Sequence, residues 1–208
     1  MALPFLLFGL GNPGPRYERT RHNVGFDAVD AIAEVTGCPL KKRMFRPLLL
    51  GTVDPFNPPF CSALVLTKPL TYMNRSGDVL PWLVRKYRLD PSRICVVVDN
   101  MDLDPGEIRM KQRGGKTRHN GLRSVSAVLE TGEYPRIYVG IGRPSGSCDV
   151  VDHVLGRFST DDSVAVIHAI RRLADLFREP SFRSVDQLVT AVNARRKTTP
   201  RRRTDRES

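Results

Sequence analysis

Short apolar runs alternate along the chain with longer segments in which apolar residues recur every three or four positions. The short runs predict strands at 5–8, 45–53, 60–67, 94–98, 107–111 and 136–141. The longer segments predict helices at about 24–36, 76–89, 122–129, 160–178 and 184–196. Ser76 is predicted to cap the second of these helices, and 142–152 is predicted to be a loop. This alternation indicates a single α/β domain, a sheet flanked by helices.

The loop after the first strand carries the densest set of polar side chains, in the sequence GLGNPGPRYERTRHNVGFD at 9–27. Its glycines spell G-x-G-x-x-G, which suggests a dinucleotide-binding turn. We reject that interpretation because Pro13 and Pro15 remove amide donors and disfavour a helix opening inside the glycines. The helical rhythm begins only near Val24. The segment is therefore predicted to be a loop that presents side chains.

The charge of the chain favours a polyanionic partner. The 208 residues contain 33 Lys and Arg against 22 Asp and Glu, a formal charge of +11. Part of that excess lies at the carboxyl end, where 195–208 reads RRKTTPRRRTDRES. We predict a catalytic domain over 1–196 and a disordered basic tail over 197–208, which lacks the apolar residues needed for a core. A basic face can also serve only solubility, so charge alone does not decide for nucleic acid.

Several features of the sequence bear on its compartment. No apolar run approaches the 18 residues of a membrane span, and the first residues lack the basic region of a signal peptide. The four cysteines are widely spaced and form no C-x-x-C pair, which is typical of reduced thiols. We therefore expect a cytoplasmic protein that contacts no membrane. A monomer is expected as well, although these features do not bear on the oligomeric state.

Polar residues follow several predicted strands at the point where each ends. The carboxyl ends of parallel strands form the ligand crevice in open α/β sheets, so these residues should lie on one rim. Two polar loops would add further side chains there. The residues concerned are Asn12, Asn74 and Asp99 after strands, His22 from the first loop, and His119 and Asn120 from the loop 113–121.

These residue types favour hydrolysis by an activated water. A histidine such as His22 titrates near neutral pH and can take a proton from water, while Asp99 would orient the ring and stabilise the imidazolium. Asparagine amides can hold a carbonyl and its developing oxyanion without a charge. No Ser or Cys lies in a nucleophile-elbow context, and no histidine pair has metal-binding spacing.

Structural roles for the same residues remain open at this point. A lone histidine is often a satisfied structural residue, asparagine after a strand is common turn chemistry, and Asp99 can cap a turn while Asp102 acts instead. Tyr17 and Tyr72 can simply pack on the surface. His153 and His168 are interpreted as structural.

Six segments together resemble the bacterial peptidyl-tRNA hydrolase family, in that family's order. They are GLGNPGPRYERTRHNVGF, KPLTYMNRSG, VVDNMDLDPGEIRMK, RHNGLRSV, VGIGRP and DHVLGRF, from residue 9 to about 158. The resemblance implies one domain with a mixed central sheet. It also implies hydrolysis of the ester between a peptidyl group and tRNA, without metal or cofactor.

The resemblance also implies roles for individual residues. His22 corresponds to the water-activating base and Asp99 to its supporting carboxylate. Asn12 falls where the family distinguishes blocked from free amino groups. The remaining matches are contacts to the tRNA-borne substrate, at Tyr17, Tyr72, Asn74 and Asn120, and a contact to the tRNA 5′ phosphate at Lys111.

The sequence departs from the family pattern near the expected phosphate contact. Arg118 replaces a frequent glycine, Tyr138 a frequent arginine, and Asn100 a frequent acid. One hypothesis is that Lys116 and Arg118 take over part of the phosphate contact; the alternative is that Arg136 supplies the charge. A second class of function is an RNA-binding scaffold without hydrolysis, which retention of the His22 and Asp99 pair disfavours.

Overall fold

Seven strands form one sheet in a computed structural model that describes residues 3–57, 60–115, 117–146 and 149–194. They are β1 (Phe5–Gly9), β2 (Lys41–Lys42), β3 (Leu48–Val53), β4 (Leu64–Pro69), β5 (Ile94–Asn100), β6 (Ile108–Lys111) and β7 (Arg136–Gly140). Their spatial order is β2-β3-β4-β1-β5-β7-β6. β1 pairs in parallel with β4 and β5, and β5 with β7, whereas β2, β3 and β6 run antiparallel to their neighbours. The mixed sheet is confirmed.

The order of the strands determines where a ligand crevice can form. After β1 the chain reaches β4 on one side of β1 and then crosses to β5 on the other. Such a reversal of strand order opens a crevice outside the carboxyl ends of the strands. In this sheet the crevice lies above β4, β1 and β5, whose strands end near Asn74, Asn12 and Asp99.

Helices cover both faces of the sheet. They are α1 (Val24–Val35), α2 (Leu80–Tyr87), α3 (Asn120–Leu129), α4 (Val150–Leu155), α5 (Thr160–Arg178) and α6 (Val185–Asn193). One core cluster joins α1, α5 and α6 to one face, and a second joins α2 and α3 to the other. β1 contributes to both, with Phe5 and Leu7 on one face and Leu6 and Phe8 on the other. A strand buried on both faces reads as a continuous apolar run, which explains the sequence pattern.

The prediction of a helix capped by Ser76 is wrong in detail. Residues Met73–Val79 form a 3₁₀ helix, α2 begins only at Leu80, and the Ser76 hydroxyl donates to the carbonyl of Met73 inside the 3₁₀ segment. The segment packs closely on α3, since a Cβ on Gly77 would lie 2.3 Å from the carbonyl oxygen of Ser124. This tertiary contact, which has no local sequence signal, sets the geometry.

Other boundaries also differ from the predictions. The strand predicted at 45–53 begins at Leu48, because the preceding residues turn back from the two-residue strand β2. The strand predicted at 60–67 is shifted to Leu64–Pro69, and Asp99 lies inside β5 instead of in the following turn. The loop predicted at 142–152 contains the start of α4, a helix too short to show a repeated apolar period.

Three further predictions concern thiols, membranes and the tail. Cys38, Cys61 and Cys95 are free and buried, and burial raises their pKa values. Among the described residues no helix is both long and apolar enough to cross a membrane. The basic tail at 197–208 lies outside the described residues, as do Lys116 and Cys148.

Candidate active site

Two glycines bring the start of α1 against the central strands. A Cβ on Gly25 would lie 2.4 Å from the carbonyl oxygen of Val97 in β5, and one on Gly9 would lie 2.4 Å from the carbonyl oxygen of Gly25. Side chains at these positions would push the helix away from the sheet. The close approach lets the 3₁₀ turn Arg21–Asn23, which leads directly into α1, deliver His22 to the end of β5.

His22 and His119 both contact one carboxylate. The Nδ1 atom of His22 and the Nε2 atom of His119 each lie 2.9 Å from Oδ1 of Asp99, and the ring centroids are 4.9 Å apart. Side-chain exposure is 3% for Asp99, against 13% and 15% for the histidines. The structure thus brings together two of the predicted catalytic residues and adds a third, His119, whose contact with Asp99 the sequence did not predict.

The tautomer of His119 follows from its second ring nitrogen. His119 is the N-cap of α3, and its Nδ1 accepts hydrogen bonds from the backbone N–H groups of Gly121 and Leu122, at 3.1 and 3.3 Å. An atom that accepts two N–H groups carries no proton. The ring is therefore neutral, with its proton on Nε2 donated to Asp99.

Asp99 remains ionised because of these two partners. Burial raises the pKa of its carboxyl group, but the hydrogen bonds donated by the two imidazoles outweigh burial and hold the pKa below its usual range. A carboxylate only accepts, so the Nδ1 of His22 must donate to it. The Nε2 of His22 is then the lone-pair nitrogen, and no described residue bonds to it.

Asn12 is held by its backbone and by one end of its amide. Asn23 accepts from the N–H of Asn12 at 2.9 Å and donates to its carbonyl at 3.0 Å. The Oδ1 of Asn12 accepts from the backbone N–H of Met73 at 2.8 Å, which fixes the orientation of the amide. Its Nδ2 donors have no partner among the described residues. Asn23, which the sequence analysis did not single out, is therefore the residue that immobilises Asn12.

The cluster of His22, Asp99 and His119 also has the composition of a metal site. Its ligand atoms lie within 4.8 Å of one another. However, the Nε2 of His119 carries a proton, because its Nδ1 accepts two backbone amides. A metal at that nitrogen would require an imidazolate or a rotated ring that abandons the helix cap. The donor set fits a hydrogen-bonded network better than a metal centre.

The remaining predicted contact residues do not all lie on the same part of the surface. Tyr17 and Tyr72 form an edge-to-face pair with ring centroids 6.4 Å apart, and Tyr72 is exposed. Asn74 and Asn120 are exposed at the starts of their helices, beside Met73 and His119. Lys111 is exposed at the end of β6, the outermost strand, and so belongs to a separate part of the surface.

Arg136 is not available to bind a phosphate. It is buried, its Nη2 donates to the carbonyls of Gly115 and Gly132 at 3.0 and 2.9 Å, and its guanidinium lies 4.5 Å from the centroid of the Tyr134 ring. The alternative that Arg136 supplies the missing phosphate contact is therefore disfavoured. Its guanidinium instead fixes the loop that follows Lys111. Arg118 is exposed on that loop.

Behind His22, the α4 segment supports the loop that carries it. Arg21 donates to the carbonyl of His153 at 3.2 Å, its backbone N–H bonds to Gly156 at 3.0 Å, and its guanidinium lies 5.2 Å from the Phe158 ring centroid. His153 itself donates from Nε2 to the carbonyl of Gly142. This packing is consistent with a structural role for His153.

A mixed α/β sheet whose crevice holds a histidine with a free ring nitrogen, a buried carboxylate and an oriented amide defines a hydrolase of the general-base class. A family model described as peptidyl-tRNA hydrolase matches residues 6–201. The chain therefore belongs to the peptidyl-tRNA hydrolase family.

Individual relatives agree over most of the chain. The peptidyl-tRNA hydrolase of Chloroflexus aurantiacus is 44% identical over 173 residues, covering 82% of this chain and 89% of the relative. That of Methylococcus capsulatus is 39% identical over 188 residues, covering 90% and 98%. A crystal structure of peptidyl-tRNA hydrolase from Acinetobacter baumannii is 32% identical and has a TM-score of 0.80, covering 93% of this chain and 96% of the other.

Proposed function

We propose that, in the peptidyl-tRNA hydrolysis characteristic of its family, this chain activates water with His22. The observation that carries the proposal is the shared carboxylate: Asp99 accepts from two imidazoles, and only His22 has an unbonded ring nitrogen. His22 is also partly exposed, so a water molecule can reach that nitrogen. The bond cleaved is the ester that joins the peptidyl group to the ribose of tRNA.

The reaction can be followed by its protons. The Nε2 of His22 takes a proton from water as the oxygen attacks the ester carbonyl, giving a tetrahedral oxyanion. The imidazolium that forms is stabilised by the Asp99 carboxylate, bonded to its Nδ1–H. When the carbon–oxygen bond to the ribose breaks, the imidazolium returns its proton to the leaving oxygen. The products are a carboxylic acid and free tRNA.

Asn12 is proposed to select substrates whose amino group is blocked. Its Oδ1 is engaged by Met73, so it presents N–H donors to the crevice. A blocked amino group brings an acyl carbonyl that accepts from such donors, whereas a free ammonium would oppose donor to donor. Asn12→Asp weakens this preference by adding a negative charge that attracts a free ammonium. The ratio of rates on acetylated and free aminoacyl-tRNA should fall by about 10-fold; an unchanged ratio would make Asn12 structural.

The substrate is proposed to extend beyond the reaction centre. Tyr17, Tyr72, Asn74 and Asn120 would contact the aminoacylated end of the tRNA, and Lys111 would bind the 5′ phosphate. The net charge of +11 supports an RNA substrate. We further propose that the chain acts as a monomer in the cytoplasm; light scattering after gel filtration would test the oligomeric state.

Hydrolysis of N-acetyl-aminoacyl-tRNA under single-turnover conditions tests the proposal. We expect His22→Ala to lower the rate by about 10²–10⁴-fold, the usual contribution of a general base. tRNA affinity should stay within a few-fold, because proton transfer is needed only along the reaction path. His168→Ala is the matched control, since His168 is exposed on α5, and should retain the wild-type rate. Binding of tRNA without turnover by the wild-type protein would instead support the scaffold alternative.

A further inference from the structure

A second basic and aromatic surface lies at the β2–β3 edge of the sheet, outside the proposed reaction centre. It combines the turn between β2 and β3 with the adjacent side of α2. We call it the hairpin surface, and its residues are Lys41, Lys42, Arg43, Met44, Phe45, Arg46, Trp82, Arg85 and Lys86.

The charge of the hairpin surface has one sign. The segments 41–47 and 80–87 read KKRMFRP and LPWLVRKY, with six cations and no acid. Among the described residues, none of these six cations forms an ion pair. A cluster of unpaired like charges is destabilising for the folded chain and attracts a polyanion.

The same surface carries the most exposed large apolar side chains in the described part of the chain. Met44 and Phe45 are 80% and 92% exposed. Phe45 also has a φ of +58°, a backbone conformation that a bulky residue rarely adopts. An aromatic ring held in water at a strained position contributes nothing to the core, so its role lies in contact with another molecule.

Aromatic and cationic groups are interleaved on the flank of this surface. The guanidinium of Arg46 lies 5.6 Å from the centroid of the Trp82 ring, and the Lys86 ammonium lies 5.1 Å from it. Lys41 is in register with Leu50, whose side chain faces α2, so Lys41 points to the same side. The surface therefore presents flat rings flanked by cations.

Protection of a sheet edge does not account for these features. Lysines on an edge strand do prevent pairing with other chains, and the two-residue strand β2 fits that role. Edge protection is undone, however, by a solvent-exposed Met44 and Phe45 at the tip of the same hairpin. Cations around exposed aromatic rings are the combination that binds unpaired nucleotides, through phosphate contacts and base stacking.

The hairpin surface lies away from the proposed 5′-phosphate contact. β2 and β6 are the two outermost strands, separated by six strand spacings of about 4.8 Å, or about 29 Å across the sheet. Lys111 belongs to β6, whereas the hairpin turn is joined to the rim of the crevice through the bond from Leu70 N–H to the Pro47 carbonyl. The hairpin surface and Lys111 therefore lie at opposite ends of the sheet.

We propose that the hairpin surface binds an unpaired strand of RNA other than the acceptor end of the substrate, with Phe45 stacking on a base and Arg43 and the lysines contacting phosphates. An anionic membrane also attracts cations with exposed apolar residues. RNA is favoured because cations and aromatic side chains are interleaved, with Arg46 and Lys86 both over the Trp82 ring and Phe45 exposed, and because the surface adjoins a crevice proposed to hold an RNA-linked ester.

Binding of a fluorescein-labelled dodecauridylate to the full chain, followed by anisotropy, tests the proposal. We expect Phe45→Ser to weaken binding by about 5–20-fold, the loss of one stacked base. Arg43→Ser should reduce the slope of log affinity against log salt by about 0.7, the value for one phosphate of a single strand. Ile167→Ser and Arg171→Ser, both exposed on α5, are matched controls and should bind as wild type.

Two further arms separate the sources of the effect. A saturating 5′-phosphorylated acceptor-stem hairpin should leave the oligonucleotide affinity within about two-fold, and hydrolysis of N-acetyl-aminoacyl-tRNA by Phe45→Ser should equal wild type. Wild-type affinity of Phe45→Ser would overturn the proposal, as would displacement by the acceptor stem. Phe45-dependent binding to phosphatidylglycerol vesicles but not to the oligonucleotide would assign the surface to membranes. None of these outcomes depends on the role proposed for His22.

Discussion

Two aspartates in neighbouring elements show opposite responses to burial. Asp99 in β5 and Asp27 in α1 both lose solvent, and burial is the largest influence raising the pKa of each. At Asp99 two imidazoles reverse the effect, and the pKa falls below its usual range. At Asp27 the nearby Asp30 adds to the effect of burial, and the pKa rises to about 6 despite opposing charges on Lys68 and Arg19.

Hydrogen-bond donors separate the two cases. Asp99 accepts from His22 and His119, whereas no described residue donates to the carboxyl group of Asp27. A buried carboxylate without donors is destabilising, because the charged form has lost water and gained no replacement. The protein therefore maintains one ionised buried carboxylate where the proposed chemistry needs it. It tolerates a second carboxylate nearby, the half-buried Asp27, at a cost in stability.

Removing the charge from Asp99 should have the largest effect. In Asp99→Asn the amide cannot stabilise an imidazolium, and it can turn the His22 ring to the wrong tautomer. We expect hydrolysis to fall by about 10²–10⁴-fold. Asp102→Asn is the control, since Asp102 is exposed and paired with Arg143, and should keep its rate. A wild-type rate in Asp99→Asn would mean that the reaction does not depend on the buried carboxylate, and an equal loss in Asp102→Asn would mean that the effect is not specific to it.

Asp27→Asn should be beneficial where Asp99→Asn is harmful: it should raise the free energy of unfolding. Because the folded pKa of Asp27 lies above its unfolded value near 3.8, the native state binds the extra proton between pH 4 and 6, and stability falls as pH rises through that window. Two pKa units correspond to about 3 kcal/mol. The variant should thus unfold with a free energy about 2–3 kcal/mol higher than wild type at pH 7–8.

The pH dependence distinguishes this cause from a general packing effect. The gain from Asp27→Asn should shrink between pH 6 and 4 and vanish below pH 4, where both side chains are neutral. Urea unfolding at several pH values measures it. A gain that is the same at pH 3.5 and pH 7.5 would show that the charge of Asp27 is not responsible.

Removing one of the two hydrogen-bond donors that contact Asp99 should move its pKa toward the raised pKa of Asp27. His119→Asn retains a residue that caps helices well but is too short to reach the carboxylate. A hydrogen bond to a buried charge contributes about 1.5–3 kcal/mol. The depressed pKa of Asp99 gives stability above pH 4 that is lost as pH falls through the folded pKa; with one donor removed that pKa is less depressed, so the stability lost on acidification should be smaller and should be complete at a higher pH in the variant.

A second variant isolates the helix cap. His119→Ala removes both the cap and the donor, and should cost about 1 kcal/mol more than His119→Asn. Hydrolysis should fall by about 10-fold in both variants, because a less firmly held Asp99 orients His22 less well. A larger loss of stability in His119→Asn than in His119→Ala would show that the cap, and not the donor, has been misassigned.

The sequence predicts this comparison only in part. His22 lies in a polar loop and Asp99 ends an apolar run, and local rules recognise both patterns. The alternation of elements predicts the α/β sheet. The contact of His119 with Asp99 depends on how α3 packs, and the clamp of Asn23 on Asn12 joins residues 11 positions apart. α4 was missed because it is too short to show a repeated apolar period, and the bond from Arg21 to the carbonyl of His153 that supports it is long-range.

Asp27 was likewise unremarkable in the sequence. An acid in the first turn of a helix is ordinary and favourable, because it faces the positive end of the helix dipole. Its partial burial depends on how α1 packs in the folded protein, and periodicity places it only near the edge of the apolar face. Its raised pKa can therefore be inferred only after the fold is known.

Asp30→Asn should produce the smallest change, and it tests the electrostatic part of the Asp27 shift. Asp30 lies one turn beyond Asp27 and forms an ion pair with Lys68. Removing its charge abolishes the repulsion that raises the pKa of Asp27, and it frees the Lys68 ammonium, which lowers that pKa. Both changes act in the same direction. The pKa of Asp27, measured by carboxyl ¹³C NMR titration, should therefore fall below 6 but stay above its ordinary value, because burial remains. A complete return to the ordinary value would show that Asp30, and not desolvation, dominates; an increase would contradict the assignment of Asp30 as the repelling charge.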